Sequence, residues 1–390
     1  MTATAATDLL YSDTERELAA ALADLLATRA APADVLARTE KPETCDTDLW
    51  RTVAVDIGIA GLLIPEPLGG AGASYRELAA AAEQFGATVA PIPYLGSAAV
   101  ATAALLSAAH SSASSAGPVS PAAALLRQLA DGTTTAALAV DCATCPGGGF
   151  PAAVRVAGSD GAGLARLRGT IRGVADALPA DVLLVPGEGV PNGLYLIEPT
   201  TPGVHRTPVV SLDMTRQLCD VSLDGVPARQ VAVGAAADAA VDAGLAAGAT
   251  VLAAEQLGLA QRCLDMTVAY VKERRQFART IGSFQSLKHR LADLWTMVAL
   301  ARAASRYAAA CLAAGDPDAP VAVALAKSAC SDAAVAAAQE CVQLHGGIGF
   351  TWEHPAHLYL KRAKASSVTF GTPGAHREAL AALVNLPGPE

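Results

Sequence analysis

The sequence predicts an α+β chain in three parts, helical, then β, then helical again, and three observations carry that prediction. Hydrophobic residues make up 52% of the 390 positions but aromatics only 4%, and alanine fills the gap. Alanine is the strongest helix former, so this composition favours a helix-rich protein. Between about residues 133 and 233 the apolar runs shorten and are punctuated by Gly, Pro and Asp, which is the texture of strands. From about residue 235 onward helical periodicity returns over long stretches. At roughly 150 residues per domain, the length suits two or three domains.

The first part, residues 1–130, reads as an α-helical domain. Leu18, Leu22, Leu25 and Leu26 recur at helix spacing, and Leu49, Val53 and Ile57 begin a second apolar stripe. The run from Gly58 to Gly72 breaks helix with Gly and Pro before Tyr75 to Phe85 resumes it. Ser111 to Pro121, rich in Ser, Gly and Pro, reads as a loop. The second part, residues 131–234, reads as a β domain, with strands expected at Ala136–Val140, Val182–Val185 and Leu194–Ile197. The third part, residues 235–390, predicts helices near Ala237–Arg275, Phe284–Ala314, Val321–His345 and Ala375–Val384. Gly315 and Pro320 mark a stop and a restart between two of them. Long antiparallel helices with short connections imply a four-helix bundle. The chain shows no internal repeat.

Charge narrows the function. With 28 Lys+Arg against 37 Asp+Glu the net charge is -9, so the basic footprint that attracts nucleic acid or anionic lipid is missing. The N-terminus carries Asp8, Asp13 and Glu15 in place of the basic start of a signal peptide. The longest uncharged stretch, Gln84 to Leu126, is interrupted by prolines, and its apolar run from Gly96 to Ala109 is too short to span a bilayer. Eight scattered cysteines fit reduced thiols. A cytoplasmic protein is expected, with neither membrane nor nucleic acid as partner.

Two segments carry chemistry. In Tyr270–Asp293, Arg274 and Phe277 are expected to close a helix near one face, and Gln285 follows. Arginine suits a phosphate oxygen, and the aromatic ring can cover an adenine or ribose. The plainer reading is a solvated basic helix end that favours the helix dipole. In Gln343–His354, Gly346 and Gly347 end a helix and allow a close backbone approach, with Gln343 and His345 able to hydrogen-bond a ligand. Its plainer reading is an ordinary glycine C-cap. His345, His354 and His357 have no carboxylate or cysteine at metal-site spacing.

Together these segments resemble the acyl-CoA dehydrogenase family, and Gly61–Gly72 resembles that family's N-terminal motif. The resemblance covers nearly the whole chain and implies the family's fold: N-terminal α-helical domain, middle β domain and C-terminal four-helix bundle. It also implies FAD as cofactor, lying between subunits with its adenosine and pyrophosphate end on the neighbour's bundle. Arg274, Phe277, Gln285, Gln343, Gly346 and Gly347 stand at the positions that hold that end. Gln276 and His345 fall within the same motifs as weaker candidates.

Elsewhere the chain departs from the family. Val140–Gly149 stands where a Thr-Glu-Pro element is usual, and Leu167–Asp176 contains no Trp where a Trp-x-Thr element cradles the flavin. The family's catalytic Glu, which takes the α-proton during α,β-dehydrogenation, falls on Phe370; the alternative family position, on the first bundle helix, falls on Gly248. Glu255 lies two turns beyond Gly248, out of hydrogen-bond reach of that point, and reads as structural, with Arg262 or another bundle residue as its expected partner. Asp242 and Glu378 are no better placed. Cys142 and Cys145 form a lone pair with no second cysteine pair and no thioredoxin-like surroundings.

The combination resembles the non-catalytic subunit of bacterial heteromeric acyl-CoA dehydrogenases. It implies a homologous catalytic partner in an α2β2 tetramer, FAD shared across the interface, a bulky or sterol-derived acyl-CoA, and electron-transfer flavoprotein as electron acceptor. Two alternatives stay open: a self-sufficient homo-oligomeric FAD enzyme acting on an acyl-CoA or carrier-bound substrate, and a flavin-free scaffold.

Overall fold

The structure is a computed structural model, which describes residues 8–112, 120–159 and 164–387. Helices come first: α1 (Asp13–Arg29), α2 (Pro32–Thr39), α3 (Thr47–Arg51), α4 (Tyr75–Thr88), α5 (Thr102–Ser112) and α6 (Pro121–Ala130). Helix α1 starts from a capping box, in which the Ser12 hydroxyl accepts from the Glu15 N–H at 3.2 Å and the Glu15 carboxylate accepts from the Ser12 N–H at 2.7 Å. Ser74 and Glu77 repeat the device at α4. Between α3 and α4 the Gly- and Pro-rich run makes two short 3₁₀ turns at Ile59–Gly61 and Glu66–Leu68. Most of the expected loop at Ser111–Pro121 lies outside the described residues.

Seven strands follow: β1 (Ala136–Leu138), β2 (Val154–Ser159), β3 (Leu164–Ala175), β4 (Val182–Gly187), β5 (Gly193–Ile197), β6 (Val204–Val209) and β7 (Leu218–Val233). They form one sheet in the order β1-β4-β5-β7-β3-β2, with β6 also paired to β7. The β1–β4 pair is parallel and the others are antiparallel. The three expected strands are β1, β4 and β5. The two longest, β3 and β7, carry a separate core around Leu167, Ile171, Val221 and Val226.

The remaining chain forms α7 (Ala235–Glu273), a small hairpin of β8 (Arg275–Gln276) and β9 (Arg279–Thr280), then α8 (Gln285–Ala314), α9 (Ala319–His345), α10 (Ala356–Val368) and α11 (Pro373–Leu383). Gly315 ends α8 in the left-handed conformation at φ 60°, and Pro320 sits in the first turn of α9. Helices α7 to α10 make the bundle, and α11 packs on α9. The expected helix at Ala375–Val384 is therefore α11, and the bundle's fourth helix is α10. Its sequence, with Lys361, Arg362 and Lys364, breaks the apolar rhythm because one of those cations, Arg362, is buried. Helices α7 and α9 are long and apolar enough to cross a membrane, but 61% and 67% of their most apolar windows are buried inside the protein.

Helices α4 and α7 touch backbone to backbone. A Cβ on Gly86 would overlap the Glu255 carbonyl oxygen, and one on Gly258 would overlap the Glu83 carbonyl oxygen. A methyl group at either place must push the helices apart, as overpacking does elsewhere. Gly258→Ala is therefore expected to destabilise the protein by at least ~1–3 kcal/mol, read as a lower thermal midpoint. An unchanged midpoint would contradict this packing.

Candidate functional site

The first cluster forms where α7 ends. The helix stops at Glu273, and Arg274 caps it in an extended conformation with its N–H on the Tyr270 carbonyl at 2.8 Å. Arg274 and Phe277 thus do not share a helix face as the spacing suggested. A two-residue hairpin intervenes, pairing Arg275 with Thr280 and Gln276 with Arg279. Its tip residues, Phe277 and Ala278, have φ of 53° and 59°, the signs a type I′ turn demands. An aromatic residue at positive φ is strained. Here the strain holds a ring that is 87% exposed at the tip. The ring meets Phe284 edge-on at 6.1 Å, and the Arg279 guanidinium lies 3.9 Å over Phe284. Gln285 opens α8 immediately after Phe284 and is exposed, as are Arg274 and Gln276.

The second segment lies beside the first. Helix α9 ends at His345, and Gly346 leaves it at φ 62°. Gln343, Gly346 and Gly347 are exposed, and a Cβ built on either glycine would find nothing within 4 Å. The backbone here is therefore open to close approach by a ligand. His345 differs from its neighbours, because it is buried. Its ring stacks on Tyr270 at 4.4 Å and lies 4.3 Å from His354. Nδ1 donates to the Cys341 carbonyl at 2.6 Å, and the Tyr270 hydroxyl donates to the His345 carbonyl at 3.3 Å. Tyr270 belongs to the last turn of α7, so this stack ties the two segments together.

Gly248 and Phe370, the two positions at which the resemblance would place a catalytic base, meet each other. A Cβ on Gly248 would lie 2.7 Å from the Phe370 ring and 2.8 Å from Val100. Phe370 is buried at φ 55° and cannot accept a proton. Its N–H donates to the Cys142 carbonyl at 2.7 Å, and the Cys142 N–H donates to the Gly173 carbonyl at 3.3 Å. Backbone groups of the loop after β1, the end of β3 and the Phe370 turn are thus paired with one another. His376 donates through Nε2 to the Phe370 carbonyl at 2.7 Å. Buried Lys327 donates to Ser331, the Ser366 carbonyl and the Gly371 carbonyl at 2.9, 3.1 and 3.3 Å. Burial lowers the Lys327 ammonium to about 8.

Glu255 is fully buried and engaged. Arg216 contacts it at 2.5 Å, Arg362 at 3.1 Å, and the Tyr94 hydroxyl donates to it. Burial disfavours its charge, but the two guanidiniums outweigh that and hold its carboxyl below the usual range. Its partners are thus Arg216 and Arg362, not Arg262. Asp242 is exposed and accepts from the Gly147 N–H at 2.6 Å, and Glu378 is exposed on α11. Cys145 lies 3.9 Å from His376 Nε2. Burial raises both the Cys142 and Cys145 thiols, which argues against a reactive thiolate. No cluster of three or more potential metal ligands occurs among the described residues.

The exposed residues suit one end of FAD. The open glycines, the exposed Arg274, Gln285 and Gln343, and the raised Phe277 suit an adenosine and pyrophosphate tail. In the loop after β1 the Cys142 N–H and carbonyl are tied to β3 and to the Phe370 turn, so neither is free to cradle the ring system. The buried Arg216, Arg362, Lys327 and His376 were not among the residues singled out from the sequence; nothing local to them signals a role.

Comparison with known proteins bears on the family and the fold. The profile "Acyl-CoA dehydrogenase, N-terminal domain" matches residues 12–114, and "Acyl-CoA dehydrogenase, C-terminal domain" matches residues 238–384. The chain is 36% identical to acyl-CoA dehydrogenase IpdE2 of Mycobacterium tuberculosis, over 90% of this chain and 91% of the relative. Its fold is similar to a chain of the ChsE4-ChsE5 complex from Mycobacterium tuberculosis, with TM-score 0.84 and 28% identity over 98% of this chain and 100% of that one. It is also similar to a chain of the Tcur3481-Tcur3483 steroid ACAD G363A variant, with TM-score 0.82 and 29% identity over 95% and 97% of the two chains.

Proposed function

The chain belongs to the acyl-CoA dehydrogenase family of oxidoreductases, and we propose that it is the base-lacking half of a heteromeric member. Its partner would be a homologous chain that keeps the catalytic Glu, in an α2β2 assembly. One observation carries this reading: Gly248 and Phe370 occupy both base positions and pack against each other, while the flavin-tail residues stay exposed. A chain that had lost all flavin chemistry would have no use for that exposed set.

FAD, when bound, supplies the hydride acceptor for α,β-dehydrogenation of an acyl-CoA thioester. In this chain Arg274 would neutralise the pyrophosphate, Phe277 would cover the adenosine, and Gln285 and Gln343 would hydrogen-bond the tail. The backbone at Gly346–Gly347 would pack against it. His345, buried between Tyr270 and His354, would position that backbone and not touch the cofactor. The α-proton would be taken by the partner's carboxylate. Similarity to the Tcur3481-Tcur3483 steroid enzyme supports a steroid-type acyl group, and similarity to a chain of the ChsE4-ChsE5 complex supports a two-chain assembly. Electron-transfer flavoprotein is the proposed electron acceptor.

Expressed alone, the chain is expected to oxidise no acyl-CoA in the presence of an artificial electron acceptor. Co-expressed with a homologue that carries the Glu, it should form a tetramer with one FAD for every pair of chains. An isolated yellow homotetramer with one FAD per chain would overturn the reading.

A further inference from the structure

Phe370 has an uncommon backbone for an aromatic residue, and three segments hold it there. Its φ is 55°, a region that side chains beyond glycine and asparagine rarely occupy. Its N–H is fixed by Cys142, its carbonyl by His376, and the next carbonyl, that of Gly371, by buried Lys327. The ring is thereby pressed into the space in front of Gly248, flanked by Val100. A carboxylate side chain at either base position would have to occupy that same space.

Along the same helix, N-terminal to Gly248, lies a cleft of about 460 Å³ lined by Gly147, Phe150, Val241, Asp242 and Leu245 among others. Val241, Leu245 and Gly248 fall four and then three residues apart, so they share one face of α7. The cleft therefore ends about one helical turn from the spot the ring fills. We propose that Phe370 is a plug that closes this chain's own acyl site, so that an acyl thioester enters only the partner's. The proposal rests on the reading above, because the two base positions are what mark this space as the acyl end of a site. It makes Phe370 a specificity-determining residue, and Lys327 and His376 the groups that position it.

Phe370→Gly tests this without straining the chain, because glycine accepts the positive φ at this position. The probe is octanoyl-N-acetylcysteamine, an uncharged thioester, so the acidic mouth at Asp242 does not decide the result. Equilibrium dialysis counts thioester bound per copy of this chain, in whatever assembly the chain purifies. Phe370→Gly is expected to take one further equivalent, at least ~10-fold more tightly than the wild type. Benzene serves as a second probe. It should raise the thermal midpoint of Phe370→Gly, and not of the wild type, by about 2 °C or more if the cavity stays open.

A benzene response without a gain in thioester would make Phe370 an ordinary core residue and overturn the plug. No response to either probe would mean that the space collapses around glycine, and would overturn it as well. Neither outcome touches the subunit reading, which stands or falls on flavin stoichiometry and on the activity of the wild-type chain alone.

Discussion

Arg362→Leu is expected to destabilise the protein by about 3–5 kcal/mol, the cost of removing one partner from a buried charge pair. Arg362 is 1% exposed, and its guanidinium reaches three parts of the chain. Nε lies 3.1 Å from Glu255 on α7, Nη1 lies 3.0 Å from Asp213 in the segment before β7, and Nη2 donates to the Ala90 carbonyl after α4 at 3.2 Å. Leucine would leave Asp213 without its cation and Glu255 with Arg216 alone. Two carboxylates buried to this degree cannot recover their hydration. The effect should appear as a large drop in the thermal midpoint and in soluble yield. Lysine should rescue only part of it, because a single ammonium cannot reproduce a fork that serves three acceptors. A loss under ~1 kcal/mol would mean that water reaches this cluster and that the charges are not buried in solution.

The same cluster shows why some of the structure was legible in the sequence and some was not. Helices α7, α8 and α9 were expected within about two residues of their observed ends because their apolar content is high and their stops are local. Glycine at 315, proline at 320 and glycine at 346 each act on their own turn. Helix α10 escaped because Arg362 is polar by type and buried by context, and only the distant Glu255 and Asp213 make that context. Strands β3 and β7 escaped for a related reason. Along β3 the buried Leu167 and Ile171 alternate with exposed Arg166, Arg168, Thr170 and Arg172, so a search for short apolar runs passes over it.

The candidate site divides the same way. The motif residues were identifiable because they are close in sequence, but the turn that presents Phe277 was not. Phe-Ala lacks the Asn-Gly or Asp-Gly signature of a type I′ hairpin, and the spacing alone suggested a helix face. The proposed loss of the base rests on two separate positions, Gly248 and Phe370, each readable in the sequence. That the second fills the space left by the first depends on a contact between helix and turn far apart in the chain, and no local pattern encodes it.

Arg274→Ala is expected to weaken flavin binding by the purified complex roughly ten- to a hundredfold. A charge-assisted hydrogen bond to phosphate contributes about 1.5–3 kcal/mol, and each ~1.4 kcal/mol is a factor of ten. The backbone at Arg274 is held by its own N–H on the Tyr270 carbonyl, and the side chain is exposed, so alanine should leave the fold and the thermal midpoint of the apo-complex unchanged. Lysine should restore part of the affinity, because it keeps the charge but loses the planar fork. Phe277→Ala should have a smaller effect, since the ring offers contact area and no charge. FAD retained after gel filtration, and titration of the apo-complex with FAD, would measure both variants. Equal flavin affinity in Arg274→Ala and wild type would reduce the exposed set to an ordinary polar helix end. A loss confined to Arg274→Ala and Phe277→Ala, with Gln276→Ala neutral, would instead place the tail on the side of the hairpin that faces the open glycines. That pattern would tie flavin retention in the complex to a chain that carries Gly248 and Phe370 at the two expected base positions.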